Sequence, residues 1–193
     1  MRTPNSDTDR RRRRRRRRIQ IVVIYTAVAI GLAWFLESQA TTTVIFVRHA
    51  EKATMPEGDP GLSPAGERRV AELTRQLVDA DVVAGVDAIY STPFRRTEET
   101  VRPLAEALGL PVNSYDAADT EAIMERIVKV HKGKIILVVG HSNTVPALIG
   151  NMGASKKVPD IAEYEYDNIY IVSIPWFGKT KTIRLRYGEP YIP

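Results

Sequence analysis

Two hydrophobic periodicities alternate along most of this chain. Near-continuous apolar runs of strand length occupy Thr42–Arg48, Ala88–Ser91 and Lys134–Val139, the pattern of strands covered on both faces. Between them lie helical patterns. Ser63 caps a helix with Pro64 in its first turn, and Val70, Leu73, Leu77 and Val78 give it one apolar face. A second helix runs around Thr97 to Leu108 and ends at Gly109. Thr120, with Asp119 as the alternative cap, opens a third, in which Ile123, Ile127 and Val130 align. Asn143 or Thr144 starts a short fourth reaching about Met152. Leu110 to Tyr115 is a weaker strand pattern limited by Pro111, and Ile169–Pro175 with Thr182–Tyr187 read as a hairpin through Gly178-Lys179. This alternation predicts an α/β fold: a mostly parallel central sheet flanked by helices, over residues 42–193. Functional side chains belong at the strand C-terminal ends.

The first forty residues follow another rule. Ile19 to Leu36 is broken only by Gln20, Tyr25 and Thr26 among polar side chains. As a helix it spans roughly 27 Å, close to a bilayer's hydrocarbon core. Trp34 and Phe35 mark the far end, where aromatic rings favour the interface. Residues 19–36 therefore read as one N-terminal transmembrane helix, a single-pass anchor. The alternative is a cleaved signal peptide, with Ser38-Gln39-Ala40 as the cleavage site. Arginines on the near side predict a cytoplasmic N-terminus in the inner (plasma) membrane. The domain then lies in the periplasm or outside the cell under either reading. The connection Glu37 to Thr41 is brief and would keep it near the membrane surface.

Charge sharpens this division. The net charge is +5, yet residues 1–18 carry Arg2 and Arg10 to Arg18 against Asp7 and Asp9, 10 − 2 = +8. The rest is 5 − 8 = −3, so the folded part has no nucleic-acid footprint. The segment 1–18 reads as a disordered cytoplasmic tail. Its nine consecutive arginines suit anionic lipid headgroups better than RNA. There is no cysteine, which excludes disulfides, thiolate chemistry and cysteine-ligated metal.

Candidate chemistry gathers at three strand ends. Arg48-His49-Ala50-Glu51 follows the first apolar run, Ser91-Thr92-Pro93-Phe94-Arg95-Arg96 the second, and Gly140-His141-Ser142-Asn143 the run of Lys134–Val139. Phosphoryl transfer needs an in-line nucleophile and positive charge around three equatorial oxygens. A neutral imidazole serves as the nucleophile, and arginine forks with a protonated imidazole serve as the charge. No metal is needed. His131, the third histidine, sits in the helix-ending stretch His131-Lys132-Gly133-Lys134 and reads as structural.

These motifs, with Gly61-Leu62-Ser63-Pro64-Ala65-Gly66-Glu67-Arg68 between the first two, agree in order and spacing. Over roughly residues 42 to 187 the chain resembles the histidine phosphatase superfamily, the phosphoglycerate-mutase-like enzymes, and in size its small phosphatase branch. The resemblance implies His49 as nucleophile through a phosphohistidine, with Arg48, Arg95 and His141 holding the phosphoryl group. Arg95 is assigned rather than Arg96, because it lies four residues after Ser91 and five before Thr100. Ser142 and Asn143 add donors. Asp116 is the candidate general acid, although the family's commoner glutamate is missing from this register. A leaving group that departs easily, such as phosphohistidine or an anhydride, needs little acid help. Glu51 either lines the pocket or belongs to a plain surface loop. The loop from Lys156 to Tyr166 is a candidate for shaping specificity.

The expectation is a membrane-anchored, metal-independent phosphatase without cofactor, acting on a phosphorylated small molecule or an exported phosphosugar. The alternatives are a non-catalytic phosphate-binding module and a membrane-surface scaffold of the same fold.

Overall fold

A computed structural model describes residues 6–38, 41–79, 85–153, 158–176 and 178–190. It divides into two units, Met1–Gln39 and Ala40–Pro193.

The first unit is a single helix, α1, Ser6–Ser38. It takes in the arginine run as well as the apolar stretch, so from Ser6 onward the expected disordered tail is corrected. Arginine is a good helix former, and a run that continues an existing helix escapes the nucleation cost. Side chains from Ile19 to Leu36 are apolar on every side and exposed, as in a helix whose partner is lipid. Among the described residues it alone is long and apolar enough to cross a membrane, a criterion that a signal sequence also meets.

The second unit is a six-stranded sheet in the order β3-β2-β4-β1-β5-β6. The strands are β1 Thr41–Arg48, β2 Ala88–Ser91, β3 Val112–Ser114, β4 Ile135–Gly140, β5 Asn168–Pro175 and β6 Lys181–Arg186. β1 to β4 pair in parallel, while β5 joins β1 antiparallel and carries β6 as a hairpin. The helices are α2 Pro64–Val78, α3 Arg95–Leu108, α4 Thr120–Val130 and α5 Thr144–Asn151. The fold class is the one the periodicities predict, with boundaries moved by one or two residues.

Strand alternation sorts the core onto two faces. Ile45, Val47, Ile89, Leu137 and Val139 pack with Leu73, Val101 and Leu104 of α2 and α3. Val44, Phe46, Ile136, Val138 and Tyr170 pack with Ile123, Ile127, Val145 and Leu148 of α4 and α5. Ser63 caps α2 by accepting from Gly66 N–H at 3.2 Å. Gly66 is required there, because a Cβ would collide with the Glu51 carbonyl. α4 is capped by Asp119, which accepts from Ala122 N–H at 3.1 Å, and Thr120 is its first residue. The parallel strands β1, β2 and β4 deliver their C-terminal ends to one edge of the sheet, and the site is built there.

Candidate active site

β1 and β4 end together, with Arg48 opposite Gly140. The next residue, His49, donates its backbone N–H to the Gly140 carbonyl at 2.9 Å and is 4 % exposed. Its Nδ1 lies 2.7 Å from the Ala50 carbonyl. A carbonyl only accepts, so Nδ1 carries the proton and Nε2 keeps its lone pair. Burial pushes the imidazole pKa down to about 3, and the charges of Arg48, His141 and Arg96 act in the same direction against the Ala50 bond. The ring is neutral at pH 7. Ala50 N–H donates to Thr100 Oγ1 at 3.0 Å, fastening this turn to α3.

Arg48 is buried and held from one side. Its Nη1 donates to the carbonyls of Ala162, Glu163 and Glu165 at 2.8, 2.9 and 3.1 Å. The Tyr166 ring covers the guanidinium face at 4.1 Å. The same ring lies 5.9 Å from the His49 ring. With Nη1 consumed, the Nε–Nη2 edge is what remains for an oxyanion; Nε is buried and has no partner among the described residues.

His141 meets His49 edge-on, 5.3 Å between ring centroids. Its Nε2 lies 3.1 Å from Thr92 Oγ1, which in turn lies 2.8 Å from Thr97 Oγ1. Thr97 Oγ1 donates to the Thr92 or Phe94 carbonyl at 2.9 or 2.7 Å. With the Thr97 proton committed to a carbonyl, Thr92 donates to Thr97 and accepts from His141 Nε2–H. That leaves the His141 Nδ1 lone pair as the place where a proton is taken up. Burial lowers the pKa of this ring to about 4, with Arg96 and Arg48 adding to the shift. In the free protein it is therefore neutral, and protonation would need an anion beside it. Gly140, just before it, has no room for a side chain: a Cβ would stand 2.7 Å from Thr144 Oγ1.

The structure reassigns the second arginine. Arg95 points into solvent, 54 % exposed, and pairs with Glu99 at 3.2 Å. Arg96 is the arginine whose charge acts on both histidines. Its side chain is 16 % exposed, and its guanidinium lies 4.4 Å from the centroid of Phe94, whose ring meets His141 at 5.2 Å. Asp59 causes the difference. Phe94 offers α3 no side-chain cap, so the Asp59 carboxylate takes the Arg95 backbone N–H at 3.0 Å and stands 3.7 Å from Arg96 Nη1. That fixes the first helical turn so that position 95 faces outward and position 96 inward.

The remaining candidates fall in varied places. Asp116 is exposed after β3, and its Oδ1 accepts from Ala118 N–H at 2.9 Å in a turn. Ser142 is half-buried; Asn143 is exposed at the start of α5 and makes no side-chain cap. The His141 backbone N–H donates instead to Thr144 Oγ1, at 2.8 Å. Glu51 neither lines this site nor sits on a surface loop: it is buried in an ion pair with Arg69, 2.7 Å at the closest. His131 Nε2 bonds the Tyr90 hydroxyl at 2.9 Å. Of the loop from Lys156 to Tyr166, Lys156 and Lys157 lie outside the described residues. Its far end reaches the site through Tyr166.

Sequence reasoning missed Arg96, Thr92, Phe94 and Tyr166. The first three lie inside the strand-end motif, where threonine and an aromatic ring beside two arginines were the available signal. Tyr166 enters only as the end of the loop considered for specificity, because His49 and Arg48 are more than a hundred residues away in sequence.

Residues 44–119 match the family model described as Histidine phosphatase superfamily (branch 1). That match spans residues 44–119 of the 193 and supports the histidine phosphatase superfamily. The chain is similar to Phosphoserine phosphatase 1 of Hydrogenobacter thermophilus, 37 % identical over 79 residues. That match covers 38 % of this chain and 36 % of the relative, so it spans about a third of the relative's length. Among solved structures, the protein histidine phosphatase SixA complexed with tungstate superposes with a TM-score of 0.60 at 18 % identity. The superposition covers 75 % of this chain and 96 % of that one. Mycobacterial glucosyl-3-phosphoglycerate phosphatase gives 0.55 at 14 % identity, over 69 % and 90 %. At these identities the two structures speak for the fold alone.

Proposed function

We propose that this chain is a phosphatase that cleaves phosphomonoesters or phosphoanhydrides through a phosphohistidine on His49. The observation that carries the reading is the Nδ1 contact with the Ala50 carbonyl at 2.7 Å, in a ring whose pKa is pushed down to about 3. It leaves Nε2 unprotonated and beside two guanidinium groups, which is what an in-line nucleophile requires.

In the first half-reaction His49 Nε2 bonds to phosphorus while the P–O bond to the leaving group breaks. The guanidinium groups of Arg48 and Arg96 offset the charge on the equatorial oxygens. The incoming dianion raises the proton affinity of His141, whose Nδ1 then donates to a phosphoryl oxygen. In the second half-reaction a water oxygen attacks phosphorus, the P–N bond breaks, and inorganic phosphate leaves with His49 neutral again. The leaving oxygen takes its proton from Asp116 once that carboxyl is protonated, or needs none when it leaves as an anhydride anion or from a phosphoimidazole. No step uses a metal or cofactor. Ser142 and Asn143 add donors at the rim.

The names of the similar proteins, a protein histidine phosphatase among them, support phosphoryl removal and leave the substrate open. On this reading residues 19–36 are a membrane anchor, the arginine run meets anionic headgroups in the cytoplasm, and the catalytic unit is exported to the periplasm or the cell exterior; the apolar helix supports it. A phosphorylated small molecule or an exported phosphosugar fits that location. One observation favours a second reading, a phosphate-binding module without turnover: the Asp116 carboxylate is engaged in its own turn.

The test is hydrolysis of an aryl phosphate by the full chain in detergent with chelator present, beside His49→Ala. Chelator-resistant turnover that disappears in the variant is the expected result. Activity that survives His49→Ala, or that needs added metal, overturns the mechanism. Phosphate binding without turnover favours the second reading.

A further inference from the structure

Six buried side-chain polar atoms lack a hydrogen-bond partner among the described residues, and three of them belong to two residues that the strand register sets opposite each other. They are Arg48 Nε and both amide atoms, Oδ1 and Nδ2, of Asn168. β1 and β5 pair antiparallel up to Val47 opposite Ile169. The next register position, still within both strands, sets Arg48 opposite Asn168. Directly opposed residues of an antiparallel pair project from the same face, with Cβ atoms about 5 Å apart. The preceding pair on this face, Phe46 and Tyr170, is core. Asn168 is 1 % exposed.

A carboxamide buried with neither end bonded is a poor choice for stability, since its desolvation is uncompensated. A branched apolar side chain would serve the fold better there. Other polar groups nearby show no such deficit: Asp167 takes Arg186 Nη1 with both oxygens at 2.7 and 2.9 Å, and Glu165 takes Nη2 at 2.9 Å. The other unpaired atoms are single hydroxyls of Thr74, Thr182 and Tyr187; only Asn168 leaves a whole amide unpaired, and its cross-strand partner offers an unused guanidinium edge beside His49.

We infer that Asn168 is a phosphate-binding residue. When a phosphoryl group occupies the site, Asn168 Oδ1 accepts from Arg48 Nε–H and Nδ2–H donates to a phosphoryl oxygen next to Arg48 Nη2. All three orphaned atoms are then paired, Nε with Oδ1 and Nδ2 with the anion, and of the Arg48 edge Nη2 is what reaches the oxyanion. The amide both orients the guanidinium and adds a donor. This rests on the phosphoryl-site reading of Arg48 and His49.

The experiment measures binding of inorganic phosphate and of vanadate to the full chain in detergent, with thermal unfolding of the same samples. The variants are Asn168→Leu and Asn168→Ser, the serine keeping the site from being overpacked. Loss of a hydrogen bond to a charged group predicts affinity lower by about tenfold or more in both. The unfolding midpoint of Asn168→Leu is expected to stay level or rise, because an unpaired buried amide is gone. A structural role predicts the opposite pair of results: a lower midpoint with oxyanion affinity within about twofold, which overturns the inference. Wild-type protein that binds neither oxyanion would remove the phosphoryl-site reading itself, and this inference with it.

Discussion

The Arg96 guanidinium lies 4.4 Å from the centroid of the Phe94 ring, which meets His141 edge-on, and the arginine's charge acts on both histidines. Arg95, its neighbour, is committed to Glu99 in solvent. The two arginines should therefore separate cleanly. Arg96→Ala is expected to lower kcat/KM by about 10²- to 10³-fold, the scale of losing one charge-stabilising donor. Arg95→Ala is expected to stay within about fivefold, since exposed ion pairs are weak. Steady-state kinetics on an aryl phosphate decide it, and an equal loss in both would refute the reassignment.

The Tyr166 ring closes one face of the Arg48 guanidinium while three carbonyls hold Nη1. Tyr166→Phe keeps that face covered and is expected to preserve phosphate affinity. Tyr166→Ala uncovers it, and a lost cation–π contact predicts roughly 2- to 30-fold weaker inhibition by inorganic phosphate. If the phenylalanine variant loses as much as the alanine, the ring is not what holds the arginine.

How far the sequence speaks for itself differs between these residues and the scaffold. The apolar runs at Thr42–Arg48 and Lys134–Val139 read as buried strands, and Ser63-Pro64 as a helix start, because those signals are local. The choice between Arg95 and Arg96 is not local. Both belong to the first turn of α3, and which one faces inward goes with Asp59, brought from the β1–α2 connection to the helix end. Asp119 and Thr120 pose the same problem at α4: both are good caps, and backbone geometry picks the first. Tyr166 reaches Arg48 because the connection between α5 and β5 returns to the C-terminal end of β1. Strand-end chemistry was readable, and the side chains that orient it were not.

Glu51, two residues after His49, holds the scaffold together. Arg69 Nε bonds both its oxygens at 2.8 and 2.9 Å, and the arginine also donates to the Tyr187 and Glu189 carbonyls at 3.2 and 3.0 Å. Removing one partner strands a buried charge. Glu51→Ala is expected to cost about 3–5 kcal/mol in chemical denaturation. The double variant Glu51→Ala/Arg69→Met should recover part of that loss, because it removes both charges. A single variant as stable as wild type would mean that the pair contributes nothing.

The two site histidines also make stability depend on pH. Burial lowers their pKa values to about 3 for His49 and about 4 for His141, against about 6.5 in the unfolded chain. Between those values the unfolded state binds more protons than the folded one, so stability rises with pH there and levels off above about 6.5. As pH falls from 6.5, unfolding is favoured by about 2 kcal/mol per histidine at pH 5. His131, also lowered by burial, adds in the same direction, while Glu165, held down by Arg186, contributes only below the ordinary carboxylate range. Urea midpoints measured from pH 7.5 to 4.5 should fall steadily below 6.5. His49→Gln and His141→Gln should each flatten the slope, and saturating phosphate should flatten it further by raising the proton affinity of His141. A midpoint independent of pH across that range would mean that the imidazoles are solvated rather than buried, and that His49 is not held ready as a neutral nucleophile.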